Sequence, residues 1–399
     1  MVVRINKQMT IFFIIVLTVY FLTNLYLYLK GSRALTGAGY PLTVYTVVFI
    51  ILASTFIAGK FLEYRYSNVL TDILNIVGGF WMAFMLYGFL MWLLSDIVLL
   101  AQRPFHLVAP ATMPHVKLWL FITITGVSAL LITAGFFSAI SPRVTRYNIS
   151  TEKSFTDGQE GMKIVAVSDI HLGSVIRKRS MKHLSRMIGS ESPELVLILG
   201  DLVDGSMGPV LRGDLLSHLT LPPLKYGHYA ITGNHEYMGN LHKSIPYIES
   251  KGIRILKDEY VPLDNGVQLI GRLDRTAQQG FGSGRATLDA LIRMTNTGKP
   301  VILLDHQPYE LNKLKGSPVD LQLSGHTHNG QMWPLNLITR AMFELSYGHK
   351  KFGNTDVIVS SGFGLWGPRV RLGTRPEIIV INFTGKSESV VDLLQHHTP

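Results

Sequence analysis

Residues Met162-Lys163-Ile164-Val165-Ala166-Val167-Ser168-Asp169-Ile170-His171 decide how the second half of this chain folds. The short apolar run 162–167 reads as a β-strand, and a polar Ser-Asp-x-His cluster follows its C-terminal end. The arrangement recurs. Strand-like 194–199 is followed by Gly200-Asp201-Leu202-Val203-Asp204, and 227–232 by Gly233-Asn234-His235-Glu236. Likewise, 300–304 precedes Asp305-His306-Gln307-Pro308, and 319–323 precedes Ser324-Gly325-His326-Thr327-His328. Further strands are predicted at 267–270, 356–360 and 377–382, with helical stretches between, as at 178–188 and 285–295. Alternation of strand and helix predicts an α/β domain, whose sheets place functional groups at the C-terminal ends of their strands.

The residue types in these clusters suit hard-to-borderline divalent metals, because Asp, Asn and His offer oxygen and nitrogen but no sulfur. Residues two apart, as in Asp-x-His and His-x-His, share a face of a straight strand, and a turn at the strand end serves equally well. Glycines 200, 233 and 325 stand where the backbone must turn sharply before the ligands. Any one cluster alone reads as a solvated strand end or turn. Five in order, each after an apolar strand, read as one metal centre, and two adjacent metals can clamp both oxygens of an in-line phosphoryl displacement.

Working outward toward the N-terminus, the composition changes. Four uncharged segments, 8–29, 41–59, 73–94 and 118–142, are long enough to cross a bilayer core. The first lacks a small-residue cleavage site and reads as a span, not a cleaved signal peptide. The net charge is +10, and residues 1–146 hold ten Lys and Arg against three acids, so most of the excess lies between apolar segments. There it reads as membrane topology, and the nearly neutral remainder argues against a nucleic-acid partner. Arg4, Lys7, Lys60, Arg65, Arg143, Arg146 and Lys153 fall on one side and Lys30, Arg33, Arg103 and Lys117 on the other. That bias predicts a multi-pass protein of the cell (inner or plasma) membrane, with the N-terminus and the catalytic domain in the cytoplasm. Asp72 and Asp96 stand at segment ends and read as interfacial residues, not a proton path. The expected organisation is a four-helix transmembrane domain (1–142), a polar linker (143–161) and a second domain (162–399). Cysteine is absent, which excludes disulfides and thiolate metal sites.

Asp-x-His, Gly-Asp-x-x-Asp, Gly-Asn-His-Glu, a middle His and Gly-His-x-His, in that order, resemble the calcineurin-like metallophosphoesterases. The resemblance covers about 162–385. Ser324-Gly325-His326-Thr327-His328-Asn329-Gly330-Gln331, and Ser361-Gly362-Phe363-Gly364 ahead of Arg375-Pro376-Glu377-Ile378, look like the bacterial membrane-associated branch, which includes UDP-diacylglucosamine pyrophosphatase-type enzymes. The resemblance implies an α+β membrane protein in which four transmembrane helices precede a four-layer α/β/β/α sandwich. It implies two divalent ions (Mn, Fe or Zn). Asp169, His171, Asp201 and His328 would hold the first; Asp201 would bridge to the second, completed by Asn234, His306 and His326. A metal-bridging hydroxide would attack phosphorus, with His235 beside the leaving group, oriented by Asp204, and Glu236 supporting the ligands from behind. Phosphoprotein phosphatases continue the second motif with Arg-Gly; here Gly205-Ser206 follows Asp204, which argues against a phosphoserine substrate. Asn329 stands where many relatives carry Gly, a tolerable exchange because Asn accepts unusual backbone angles.

The expected substrate is a phosphoester or pyrophosphate, lipid-linked in view of the anchor. The alternatives are a phosphodiesterase of small soluble nucleotides and a non-catalytic membrane sensor or scaffold; no protein partner can be inferred. Between Gly330 and Asp356, Leu335, Ile338, Met342 and Leu345 recur at helical spacing beside Trp333 and Phe343. They read either as a packed helix or as an apolar lip that dips into lipid. Lys350, Lys351, Arg369, Arg371 and Arg375 read as a solvated basic face or as a grip on a second phosphate or an acidic head group. His183, His218, His228, His242, His349, His396 and His397 match no motif and read as surface or packing residues.

Overall fold

The computed structural model describes residues 7–156, 159–278 and 284–386; Arg4, Gly158, His396 and His397 lie outside them. The chain divides into two compact units, 1–65 with 69–135, and 66–68 with 136–399.

The first unit is helical: α1 (Lys7–Gly37), α2 (Thr43–Arg65), α3 (Val69–Ala101) and most of α4 (Met113–Ala139). Each is long and apolar enough to cross a membrane. Their outward faces are Ile, Leu, Val and Phe, while the few polar groups turn inward and pair. Asp96 of α3 accepts bonds from Lys30 and, at 2.7 Å, from Tyr26 of α1. Trp81 donates to Asn24 at 2.9 Å, tying the same helices together.

In the second unit two six-stranded sheets pack face to face. The first has the order β1 (Arg143–Ser150), β12 (Glu377–Thr384), β2 (Gly161–Val167), β3 (Leu195–Ile198), β4 (His228–Ile231) and β5 (Arg254–Leu256). The second runs β10 (Gly348–Phe352), β11 (Thr355–Val359), β9 (Leu321–Ser324), β8 (Val301–Leu304), β7 (Gln268–Gly271) and β6 (Glu259–Pro262). Strand periodicity explains the layering. Ile164 and Ala166 point between the sheets, with Leu197, Leu269, Ile302 and Leu323, and Val165 and Val167 point to the opposite face. There they meet Met181, Leu184 and Ile188 of α5 (Lys178–Glu191), which α6 (Met207–Arg212), α7 (Asn234–Met238) and α8 (Leu241–Glu249) follow in the chain. On the far side Val301, Leu303 and Val357 pack against Leu291 of α9 (Leu288–Ile292). Both faces of each sheet are therefore covered, which is why the strands read as continuous apolar runs.

The segment 143–161 was expected as a linker, yet Arg143–Ser150 forms β1, paired in parallel with β12 from Arg143↔Glu377 to Ser150↔Thr384. Its alternation is blurred because β1 is an edge strand, buried fully only at Ile149. The sequence reading also passes over β5, β6 and β10, of three to five residues each, and extends α9 beyond its five residues.

Candidate metal centre

The loops leaving β2 and β3 are zipped together by their backbones: Asp169 N donates to Gly200 O (3.1 Å), His171 N to Asp201 O (2.9 Å) and Leu172 N to Leu202 O (2.9 Å). Within them Asp169, His171 and Asp201 take φ of 52°, 51° and 51°; after β9, His326 and His328 take 71° and 48°. Left-handed backbone at non-glycine residues costs of order 1–3 kcal/mol each and persists only where the surroundings impose it. The turns, not straight-strand alternation, thus aim the side chains. Asn329 shares this conformation at φ 48°. Of the glycines read as hinges, Gly200 does have positive φ, but Gly233 and Gly325 serve close approach instead. A Cβ at Gly233 would lie 2.1 Å from Asp201 Oδ1, and one at Gly325 1.7 Å from Ser168 Oγ.

Two groups of side chains result. In the first, His171 Nε2 lies 3.0 Å from His328 Nε2, and Asp169 Oδ1 lies 3.4 Å from His328 Nε2. In the second, Asp201, His306 and His326 converge, and His326 Nδ1 is 2.8 Å from Asn234 Oδ1. Asp201 belongs to both. Its Oδ1 accepts from His235 N at 2.8 Å, which leaves Oδ2 facing His306 Nε2 at 3.2 Å and His171 Nε2 at 3.8 Å. Asp169, His171, Asp201, His306 and His328 are all buried.

Donor chemistry tests whether cations fit. His306 Nδ1 lies 2.6 Å from Leu199 O and must carry the proton to bond it. Its Nε2 then points into the site toward Asp201 Oδ2, buried without a hydrogen-bond partner. Burial would raise the Asp201 carboxyl, but His306, His235 and His171 hold it well below the ordinary carboxylate range. Burial lowers His306, yet Asp201 and Asp169 outweigh it and carry the imidazole well above its usual value. Burial, then His306, lowers His326 to about 4. The carboxylates therefore draw positive charge into the site while His326 is held neutral beside His306, conditions that divalent cations would satisfy.

Beside the first group, His235 Nδ1 lies 3.2 Å and His171 Nδ1 3.4 Å from Asp204 Oδ1, and the His235 and His171 rings meet edge to face with centroids 4.5 Å apart. Burial opposes charge on His235, but Asp201, Asp204 and Glu236 outweigh it and lift the imidazole to about 9. Glu236 sits behind the ligands, accepting from Gly233 N (2.7 Å), Asp201 N (3.1 Å) and Val203 N (3.1 Å).

Arg371 corrects the reading of the basic cluster. It is fully buried, donating to Gly364 O (2.7 Å), Gly362 O (3.3 Å) and His328 O (3.3 Å), with Nη2 3.2 Å from His328 Nδ1. Sequence offered no signal for this, because Val370-Arg371-Leu372 lies in a Gly- and Pro-rich loop without periodicity. Asp305, named among the strand-end clusters, turns away from the centre and pairs with Arg272 (2.9 Å) and Arg285 (2.5 Å). In α10 (Leu335–Met342), Leu337, Ile338 and Met342 are exposed, as is Trp333 just before it. Leu335 and Leu345 are half-buried, so the periodic set divides between core and surface. Phe343 is buried, its ring 6.1 Å from His326.

Comparison with known proteins agrees with this geometry. The family model described as calcineurin-like phosphoesterase matches residues 162–330. An uncharacterized metallophosphoesterase of Aquifex aeolicus is 36% identical over 248 residues, 61% of this chain and 92% of that protein. Another, from Campylobacter jejuni, is 29% identical over 94% of this chain and 99% of its own length, so the likeness extends through the apolar helices. A Danio rerio protein described as a transmembrane protein with metallophosphoesterase domain is 31% identical over 63% of this chain and 60% of that protein. With this likeness, the two-sheet sandwich and the paired Asp/His groups at its strand ends, the chain belongs to the calcineurin-like metallophosphoesterases, and it is a metal-dependent phosphoesterase.

Proposed function

We propose that this is a membrane-anchored phosphoesterase that uses two of Mn, Fe or Zn to hydrolyse a phosphoester or pyrophosphate of a lipid-linked substrate on the cytoplasmic side of the cell membrane. The observation that carries the reading is Asp201, whose Oδ2 faces the imidazoles of both ligand groups. Asp169, His171 and His328 hold one cation with it, and Asn234, His306 and His326 the other. When bound, the pair supplies charge neutralisation for the phosphoryl group and activation of the attacking water. His235, protonated and held by Asp204, stands where it can donate a proton to the departing oxygen. Burial of the ligands excludes bulk water and strengthens each of these interactions.

Support for a lipid-linked substrate comes from the chain's apolar surfaces. Trp333, Leu337, Ile338 and Met342, each 55–60% exposed, stand three to twelve residues after Gly330 and the loop of His326 and His328, in a protein with four helices apolar enough to cross a bilayer. The deciding experiment gives the detergent-solubilised chain bis-p-nitrophenyl phosphate, p-nitrophenyl phosphate and a UDP-lipid pyrophosphate in parallel with added Mn, with Asp201→Ala as control. Preference for the lipid pyrophosphate, abolished in Asp201→Ala, is the expected result. Ile338→Glu should then lower turnover of the lipid substrate and spare the soluble ones; equal loss on all would contradict the lip.

A further inference from the structure

Below the first sheet, a cavity of 230 Å³ opens among Phe136, Ala139, Ile140, Arg179, Phe363 and Arg369. Its charges are unbalanced. Among the described residues neither Arg179 nor Arg369 has a carboxylate within ion-pair reach, and each is the other's charged neighbour. Arg369 Nε is buried without a hydrogen-bond partner, and its guanidinium lies 5.6 Å from the Phe136 ring centroid. Burial, then Arg179, holds Arg369 below the ordinary arginine range. The helix that supplies Arg179 adds to the imbalance: α5 follows the N-cap residue Arg177 with no side-chain cap and no acid in its first turn. Arg179 is exposed at the cavity and Arg369 half-buried beside Ser180 and His183, so two like charges open onto one space that an anion would join. Planar donor forks suit phosphate best.

The walls identify the source. Phe136, Ala139 and Ile140 are the last turn of α4 and the residue after it, where the fourth apolar span ends. Ala139 is buried in the core of the second unit with Ile378 and Val380. A span's end lies at the level of lipid head groups. The volume is below that of a site for a whole drug-sized ligand, so it takes a head-group phosphate and leaves the acyl chains outside, against Phe136 and Ile140. We infer that Arg179 and Arg369 form a binding site for the phosphodiester of an anionic phospholipid, beside the C-terminal end of α4. This rests on the reading of α4 as a membrane span.

The full chain, purified in neutral detergent, would be incubated with phosphatidylglycerol, phosphatidylcholine or inorganic phosphate and its bound lipid counted by native mass spectrometry. Carbonate extraction of membranes would first check the span. The expected result is one retained phosphatidylglycerol, no retained phosphatidylcholine, and no displacement by inorganic phosphate. Arg179→Gln with Arg369→Gln should reduce retention at least tenfold, while exposed Arg186→Gln should leave it unchanged. The paired Arg→Lys variant should retain lipid and guards against misreading a folding defect, as does equal metal content in all variants. Undiminished retention in the paired Gln variant, or displacement by inorganic phosphate, overturns the site. Release of the chain by carbonate overturns the span instead.

Discussion

Asp204 touches two imidazoles, and its role can be separated from that of the metal ligands by pH. His235 keeps its proton through neutral pH and loses it as pH rises through a value lifted to about 9, in part by the Asp204 carboxylate. Asp204→Asn removes that contribution, so the basic limb of kcat against pH should move to lower pH. Bound cations lower the limb in both proteins, which leaves the comparison intact; an unmoved limb would show that His235 is not the proton donor. Arg371 offers a second test at this scale. Arg371→Met removes four donations that fix His328 and the Gly362–Gly364 turn. Metal affinity should fall on the order of 10–100-fold, as for other residues that orient ligands, and calorimetric titration with Mn would measure it. The Asp, Asn and His residues that the structure brings together were legible in their order because each group follows an apolar strand. Arg371 was not, since a buried arginine in an irregular loop leaves no periodic trace.

At the level of elements, the centre depends on how closely its loops approach. Gly233→Ala places a methyl 2.1 Å from Asp201 Oδ1, so either the loop or the ligand must move. The variant should fold, yet bind fewer metal equivalents, as atomic absorption would show; full metal content would mean that the loop yields freely. Glu236→Gln replaces an acceptor of three backbone N–H groups with a side chain that keeps one acceptor. It should cost about 1–3 kcal/mol of stability, read from the shift in thermal unfolding. The inner strands were legible from their runs of Val, Ile and Leu, because both faces are buried. Edge strands β1 and β10 were not, because half-exposed alternation with Arg, Thr, Lys and His resembles a linker. Likewise, the left-handed turns that aim the ligands leave no mark in sequence when the residues that adopt them are Asp and His.

For the molecule as a whole, four apolar helices and a sandwich of two sheets were both readable, the first from hydropathy and the second only through the family resemblance. The exposed apolar side chains of α10 were harder to foresee, since helical spacing marks an apolar face without saying whether protein or lipid covers it. Sidedness can be tested cleanly because the chain has no cysteine. A single thiol introduced by Asn354→Cys, at an exposed turn between β10 and β11, should resist a membrane-impermeant maleimide in intact cells and react after lysis. Labelling of intact cells would place the phosphoesterase outside.

The most direct test of the account is metal content and hydrolysis measured together on wild type and Asp201→Ala. Because Asp201 Oδ2 faces imidazoles of both side-chain groups, wild type should bind about two divalent ions per chain, as a two-metal phosphoryl centre requires. The variant should lose both the paired binding and the hydrolysis. Hydrolysis that persists in Asp201→Ala, or a wild-type chain that turns over substrate with no bound metal, would contradict it.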